Sequence, residues 1–303
     1  MPAIETTTPR ETDVKFEGFD KTDLQRFSQM QNLAYECVEA VQAQLRTGMT
    51  EKDAVRLLRE WLAAHGVRHM FHDPFAWFGK RAAFKDFWIN LKFLPSKTRL
   101  EPGMPVILDV APIVDGYSSD IGYCFVHGGD ATVDEMDQVL MQVRDHIVEA
   151  VRMKKTMRAI YWEVDAIVEG AGFINVHRYY PHRVLGHRMG RLDTGPLHRV
   201  RWLGFGLPTY VKLTGRTWLS KLLPKWIESP LWNDGRECDH PVPEGLWAVE
   251  PHIATPDQRI GTKWEELLVV TKDGAHWLNH DATHCRRARD KGWWKATERS
   301  ALA

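Results

Sequence analysis

From Asp23 to about Leu45 the apolar residues Phe27, Met30, Leu33, Ala34, Val38, Val41 and Leu45 recur at helical spacing, which predicts a long amphipathic helix. Gly48 breaks it. Thr50 with Asp53 reads as a capping box that opens a second helix through Leu57, Leu58, Trp61 and Leu62, terminated by Gly66. The aromatic stretch 75–94 fits a strand or a loop. Residues 106–125, VILDVAPIVDGYSSDIGYCF, predict a hairpin: Asp109 closes a short apolar strand, Asp115-Gly116 suits a type I′ turn, and Tyr117 to Phe125 return. Helical spacing resumes from Asp134 to about Met153 and from Tyr161 to Ala171. A short strand at Arg183–His187, an aromatic segment, and strands near 246–253 and 264–271 follow. The order helix, helix, hairpin repeats in kind, with no repeat at the level of residues, and the class is α+β with antiparallel strands.

The first hairpin carries chemistry. A two-residue loop pairs Val114 with Tyr117, which sets Asp109 opposite Gly122, one diagonal step from Asp120 on the same sheet face. Two carboxylates so close repel, and a bound cation, most simply a metal, relieves them. In a second hairpin, 246–274, a turn centred on Asp257-Gln258 sets Glu250 opposite Glu265 and turns Glu266 away. Pro251 and Gly261 are points where a bulge would change that register. His187, in the short strand, adds an imidazole. Four carboxylates and one histidine form an oxygen-rich donor set that favours Mn²⁺, Fe²⁺ or Co²⁺, with Zn²⁺ a further option, and so many acids argue for two divalent ions sharing carboxylates.

Composition narrows the partners. The chain has 303 residues, enough for a large core, and its 40 basic and 40 acidic side chains balance, so no global field recruits nucleic acid or an acidic membrane. No apolar run is long enough to span a bilayer. Residues 1–20 are polar and threonine-rich, a flexible leader without the apolar core of a secretory signal. Cys37, Cys124, Cys238 and Cys285 lack paired spacing, which favours reduced thiols and a cytoplasmic location.

At these same residues, over about 23–275, the chain resembles the pita-bread metallopeptidases: methionine aminopeptidase, aminopeptidase P, prolidase and creatinase. LRTGMTEKDAVRLLREWLAAHGV resembles the family's entry helices and EPGMPVILDVAPIVDGYSSDIGYCFVHGG its aspartate hairpin. LGHRMG resembles the histidine strand, EGLWAVEPHIA the first glutamate strand and GTKWEELLVVTKDG the last. The resemblance implies a curved antiparallel sheet in pseudo-twofold halves covered by helices, formed by residues 21–303. It implies that Asp109 binds one metal, that Asp120 and Glu265 bridge two, and that His187 and Glu250 bind the other. A metal-bridged hydroxide would attack an amide or peptide carbonyl, with Glu250 taking its proton. The implied substrate is a short peptide or an amide-like small molecule.

The sequence also departs from the family. Its peptidases carry two further histidines that hold the substrate. GKRAAFKD resembles the stretch around the first, and places Asp86 where histidine is expected; Thr194 stands at the second position. Asp86 would bind a cationic substrate group or pair with Lys80, Arg81 or Lys85. His182, His198 and His252 are the candidates to stand in. These departures keep open a second function, a non-peptidase metalloenzyme of small-molecule metabolism that reuses the metal site, including di-iron oxygen chemistry. Between about 199 and 243 lies a tryptophan-rich insertion with Trp202, Trp218, Trp226 and Trp232. It reads as a lid on the substrate pocket or as a packing or homodimer element. Its Lys, Leu and Trp also suit a membrane surface, although basic and apolar residues do not segregate cleanly along the sequence.

Overall fold

The computed structural model describes residues 19–295 apart from 86, 88–89, 130–132, 193, 196–199, 203 and 224–225. The expected leader therefore lies almost wholly outside the described residues, as do Asp86 and His198. Helix α1 (Lys21–Gln42) is capped by Asp20 and α2 (Glu51–Ala64) by Thr50. At Thr50 the box is reciprocal: its hydroxyl accepts from the Asp53 backbone amide, and the Asp53 carboxylate accepts from that of Thr50. The apolar faces of both helices, Ala34, Val38 and Val41 with Val55, Leu58 and Leu62, bury Phe78, Val106, Leu108 and Tyr123 of an antiparallel sheet. That sheet sets Phe75–Phe78 and Ile121–Val126 on either side of Pro105–Val110.

The second half repeats the arrangement. Helices α3 (Asp134–Arg152) and α4 (Met157–Gly170) cover an antiparallel sheet ordered Leu231–Trp232, Gly186–Met189, Gly245–Val249, Glu266–Thr271, Gly274–Trp277. Leu140, Val143, Ile160 and Val164 pack there on Trp232, Trp247, Leu268 and Trp277. Each half thus buries one sheet face under a helix pair and leaves the other face for the middle of the molecule.

Both hairpins keep the expected registers. Val114 faces Tyr117 and Asp109 faces Gly122, and the turn residues Asp115 and Gly116 both have positive φ, 52° and 82°, as a type I′ turn demands. In the second hairpin His252 faces Lys263, and Val249 faces Glu266. The ladder is interrupted at Glu250-Pro251, but the register is the same on both sides of the gap, so Glu250 stands opposite Glu265 with no net bulge. About a third of the insertion is a helix that the sequence reading did not assign, α5 (Leu207–Leu222), entered through Gly206. A sixth helix, α6 (Thr283–Asp290), follows the last expected strand.

Candidate metal centre

Chain segments far apart in sequence deliver Asp109, Asp120, His187, Glu250 and Glu265 to the lining of a single cavity of about 220 Å³. All five are buried, none more than 9% exposed. Asp109 comes from the end of its strand, and Asp120 from the short break where the hairpin leaves one sheet for another. His187 sits mid-strand, with its ring stacked parallel on Phe71 at 5.2 Å. Its Nε2 lies 3.3 Å from Asp120 Oδ2 and 4.0 Å from Glu265 Oε1. Glu250 and Glu265 face each other in the gap between two strand pairs, where the ladder is interrupted.

Two residues that the sequence reading missed complete the cluster. Lys263 is buried, and its Nζ donates to Asp109 Oδ2 at 2.9 Å, Glu265 Oε2 at 3.0 Å and Glu250 Oε2 at 3.1 Å. The signal for it was present, since Lys263 lies two residues before Glu265 and so projects from the same strand face. Gly122 leaves it room: a Cβ there would run into Lys263 Cε. His72 lies just before the strand Phe75–Phe78, with Nε2 2.9 Å from Asp120 Oδ1 and 3.1 Å from Asp109 Oδ1. Its Nδ1 is 2.7 Å from the Asp73 carbonyl oxygen and donates to it. In a neutral ring that donation leaves the Nε2 lone pair aimed at the two aspartates, the orientation of a metal-binding imidazole held by its outer hydrogen bond. No spacing rule pointed to His72, because it lies in a loop and reaches the site by tertiary folding alone.

The charges do not settle among themselves. Burial works against the Asp120 carboxylate, yet His72 and His187 hold its pKa well below the usual range. Burial and the neighbouring Asp120 push Glu265 well above its ordinary value despite Lys263, and burial raises Glu250. His187 Nδ1 is buried without a hydrogen-bond partner, and Asp109 Oδ1 meets only the His72 ring. The ligand atoms of His72, Asp109 and Asp120 lie within 4.8 Å of one another, and so do those of Asp120, His187 and Glu265. Ligands about 2.1 Å from one cation and at right angles are about 3 Å apart, so the observed spacings suit a coordinated ion. The donor set therefore fits the divalent metal that the sequence called for.

The other candidates separate. His182 lines the cavity, held at a positive φ of 62°, with burial lowering its pKa. His252 does not line it: Nε2 donates to the Ala82 carbonyl at 2.6 Å and Nδ1 meets the Tyr180 hydroxyl at 3.1 Å. Burial and Lys263 hold His252 well below its ordinary pKa, so it is a neutral strut behind the site. Thr194 is half-buried and is not among the lining residues either. Arg81, one of the partners expected for Asp86, is committed to Glu51 at 2.8 Å.

Above the carboxylates the cavity is apolar, walled by Phe71, Phe75, Trp77, Phe93, Tyr180 and Val184. His72, Phe75 and Trp77 form a stack with ring centroids 5.0 and 5.4 Å apart. The insertion contributes Phe205, Tyr210, Leu213, Thr214 and Leu231. No Lys or Arg is among the described lining residues.

The family model for metallopeptidase family M24 matches residues 25–272. An uncharacterized peptidase of Staphylococcus saprophyticus is 26% identical over 170 residues, which cover 56% of this chain and 46% of that protein, so the match spans about half of either. Among solved structures, the X-Pro aminopeptidase of Thermotoga maritima aligns with TM-score 0.62 and 20% identity over 88% of this chain and 62% of its own. The methionine aminopeptidase of Rickettsia prowazekii aligns with TM-score 0.59 and 16% identity over 88% and 99%. The two helix-covered sheets are thus the pita-bread fold.

Proposed function

Because the chain belongs to metallopeptidase family M24, we propose that it is a metal-dependent hydrolase of a peptide or amide bond, with Asp109, Asp120, His187, Glu250 and Glu265 as its ligands. The observation that carries this reading is the convergence of those residues at the polar end of an otherwise apolar cavity. The reading takes two divalent ions as the full complement, which these five residues would hold with His72 as an added donor. Bound there, a divalent cation supplies Lewis acidity, polarising the carbonyl under attack and acidifying water. Glu250, its carboxylate made more basic by burial, takes the proton of the attacking water and returns it to the leaving amine. Lys263 keeps Asp109, Glu250 and Glu265 oriented, and Phe71 fixes the His187 ring.

The cavity points to the substrate class. An apolar cavity of roughly 150 Å³ holds benzene, so about 220 Å³ of aromatic-walled space suits one bulky apolar or aromatic group beside the scissile carbonyl. With no Lys or Arg among the described lining residues, a substrate carboxylate finds no fixed cation along the apolar wall. The test is cleavage by the Mn- or Co-loaded chain of amino-terminal peptides and amides whose first residue ranges from Ala to Phe and Trp. Hydrolysis that rises with apolar bulk supports the reading. A metal-loaded chain that cleaves none of them overturns it.

A further inference from the structure

Helix α5 is amphipathic the wrong way round for a surface helix. Its inner face carries the hydroxyl residues: Thr209, Thr217 and Ser220 are buried and Thr214 half-buried. Three of these hydroxyls bond back to carbonyls of the helix itself, Thr214 to Tyr210, Thr217 to Leu213 and Ser220 to Thr217, at 2.6–2.8 Å. The outer face runs Val211, Gly215, Trp218, Leu219, Leu222, an i, i+4, i+7, i+8, i+11 stripe on one side of the helix. That stripe is exposed, Trp218 to 64% and Leu222 to 72%, and Trp226 just beyond the helix is 85% exposed. Scattered apolar residues on a surface need no partner, but a continuous stripe over more than two helical turns marks a contact surface.

The charge carried by this stretch of the sequence points to the occupant. No Asp or Glu occurs between Asp193 and Glu228, whereas Arg199, Arg201, Lys212, Arg216, Lys221 and Lys225 do, in a chain whose total charge balances. Part of this charge is engaged within the fold: Arg201 lies 3.7 Å from Asp73, Lys221 lies 3.8 Å from Glu237, and Arg216 donates to the Glu228 carbonyl at 3.2 Å. A second copy of the chain, meeting this face with the same face, would bring two acid-free basic segments together. An anionic bilayer surface offers the opposite charge, and Trp and Leu interleaved with Lys and Arg are the residues that seat in its interfacial layer. No described helix is long and apolar enough to cross a membrane, so the contact is a peripheral one.

We propose that α5 and Trp226 dock the protein on the surface of an anionic lipid bilayer, with the exposed stripe in the headgroup layer. The inner side of the same helix walls the metal cavity through Tyr210, Leu213 and Thr214, so docking sets the apolar cavity beside the lipid. Nothing in this inference depends on the hydrolase reading, and its test involves no catalysis.

The experiment is co-sedimentation of the full chain with vesicles of phosphatidylcholine, with and without phosphatidylglycerol, for the native chain and for W218S/L222S/W226S. All three substituted side chains are exposed, so an unchanged melting temperature should certify folding. The expected result is binding of the native chain to the anionic vesicles, at least ten times weaker binding to neutral ones, and a comparable loss in the triple variant. A native chain that stays in solution with anionic vesicles, or a variant that binds as well as the native chain, overturns the proposal. So does a native dimer in sedimentation velocity that the triple variant converts to monomer, because a second copy then owns the stripe.

Discussion

Glu265 and Glu266 are neighbours on one strand end, and the molecule treats them in opposite ways. Glu266 points under the second sheet, where Arg144 grips both of its oxygens, at 2.5 and 2.9 Å, and His284 adds a third contact at 2.6 Å. Arg144 is itself held between the Trp277 and Trp294 rings, at 4.9 and 5.3 Å. Burial opposes the charge, but Arg144 overcomes it and lowers the Glu266 pKa to about 2. Glu265 points into the middle of the molecule, among Asp109, Asp120 and Glu250, with Lys263 as the nearest fixed cation, and its pKa moves up instead of down. The chain balances one buried acid with its own guanidinium and leaves the other in a group whose charge a further cation would complete. A finished ion pair is architecture; an unfinished one is a binding site.

The largest break in this comparison comes from E265A or D120A. Either removes a carboxylate that the proposed function assigns as a metal ligand, and kcat/KM should fall by at least about ten-thousandfold, roughly 5.5 kcal/mol of transition-state stabilisation, while the melt stays cooperative. Activity assays paired with circular dichroism check it; retained activity in a folded variant contradicts it. On the other side, R144M strands Glu266 and should cost about 3–5 kcal/mol of stability, read by urea denaturation, with activity per folded molecule preserved. A smaller effect is expected from H72A, a loss of roughly ten- to a hundredfold in metal affinity with little change in the metal-free melt, measured by competition with a chelating dye. An unaltered affinity would remove His72 from the donor set. Smallest is K263M, which deletes the tethered cation. The rise in melting temperature on adding metal should then exceed that of the native chain by a few degrees, about 1 kcal/mol, because the bound ion relieves more repulsion.

What the sequence disclosed follows from the range of the interactions involved. The hairpin pairings, and with them the approach of Asp109 to Asp120 and of Glu250 to Glu265, are local: a two-residue turn and a period of two fix them within about 20 residues. The capping box at Thr50 is equally local. His72 reaches Asp120 across 48 residues of chain, a distance over which periodicity carries no information; the strand period puts Lys263 on the face of Glu265 but says nothing of its reach to Asp109 across 154 residues. Helix α5 was hidden for another reason. A sequence that exposes Val211, Trp218 and Leu222 and buries Thr209 and Thr217 inverts the pattern by which surface helices are read. His252 was a candidate by position to hold substrate, and only tertiary packing brings it the Ala82 carbonyl and the Tyr180 hydroxyl that engage both of its ring nitrogens.

The most direct test is elemental analysis of bound metal in anaerobically purified, dialysed protein for the native chain, E265Q and E266Q. The account predicts stoichiometric divalent metal in the native chain, its loss in E265Q and its retention in E266Q. A native chain that holds no metal, or metal that disappears with E266Q and persists in E265Q, would contradict it.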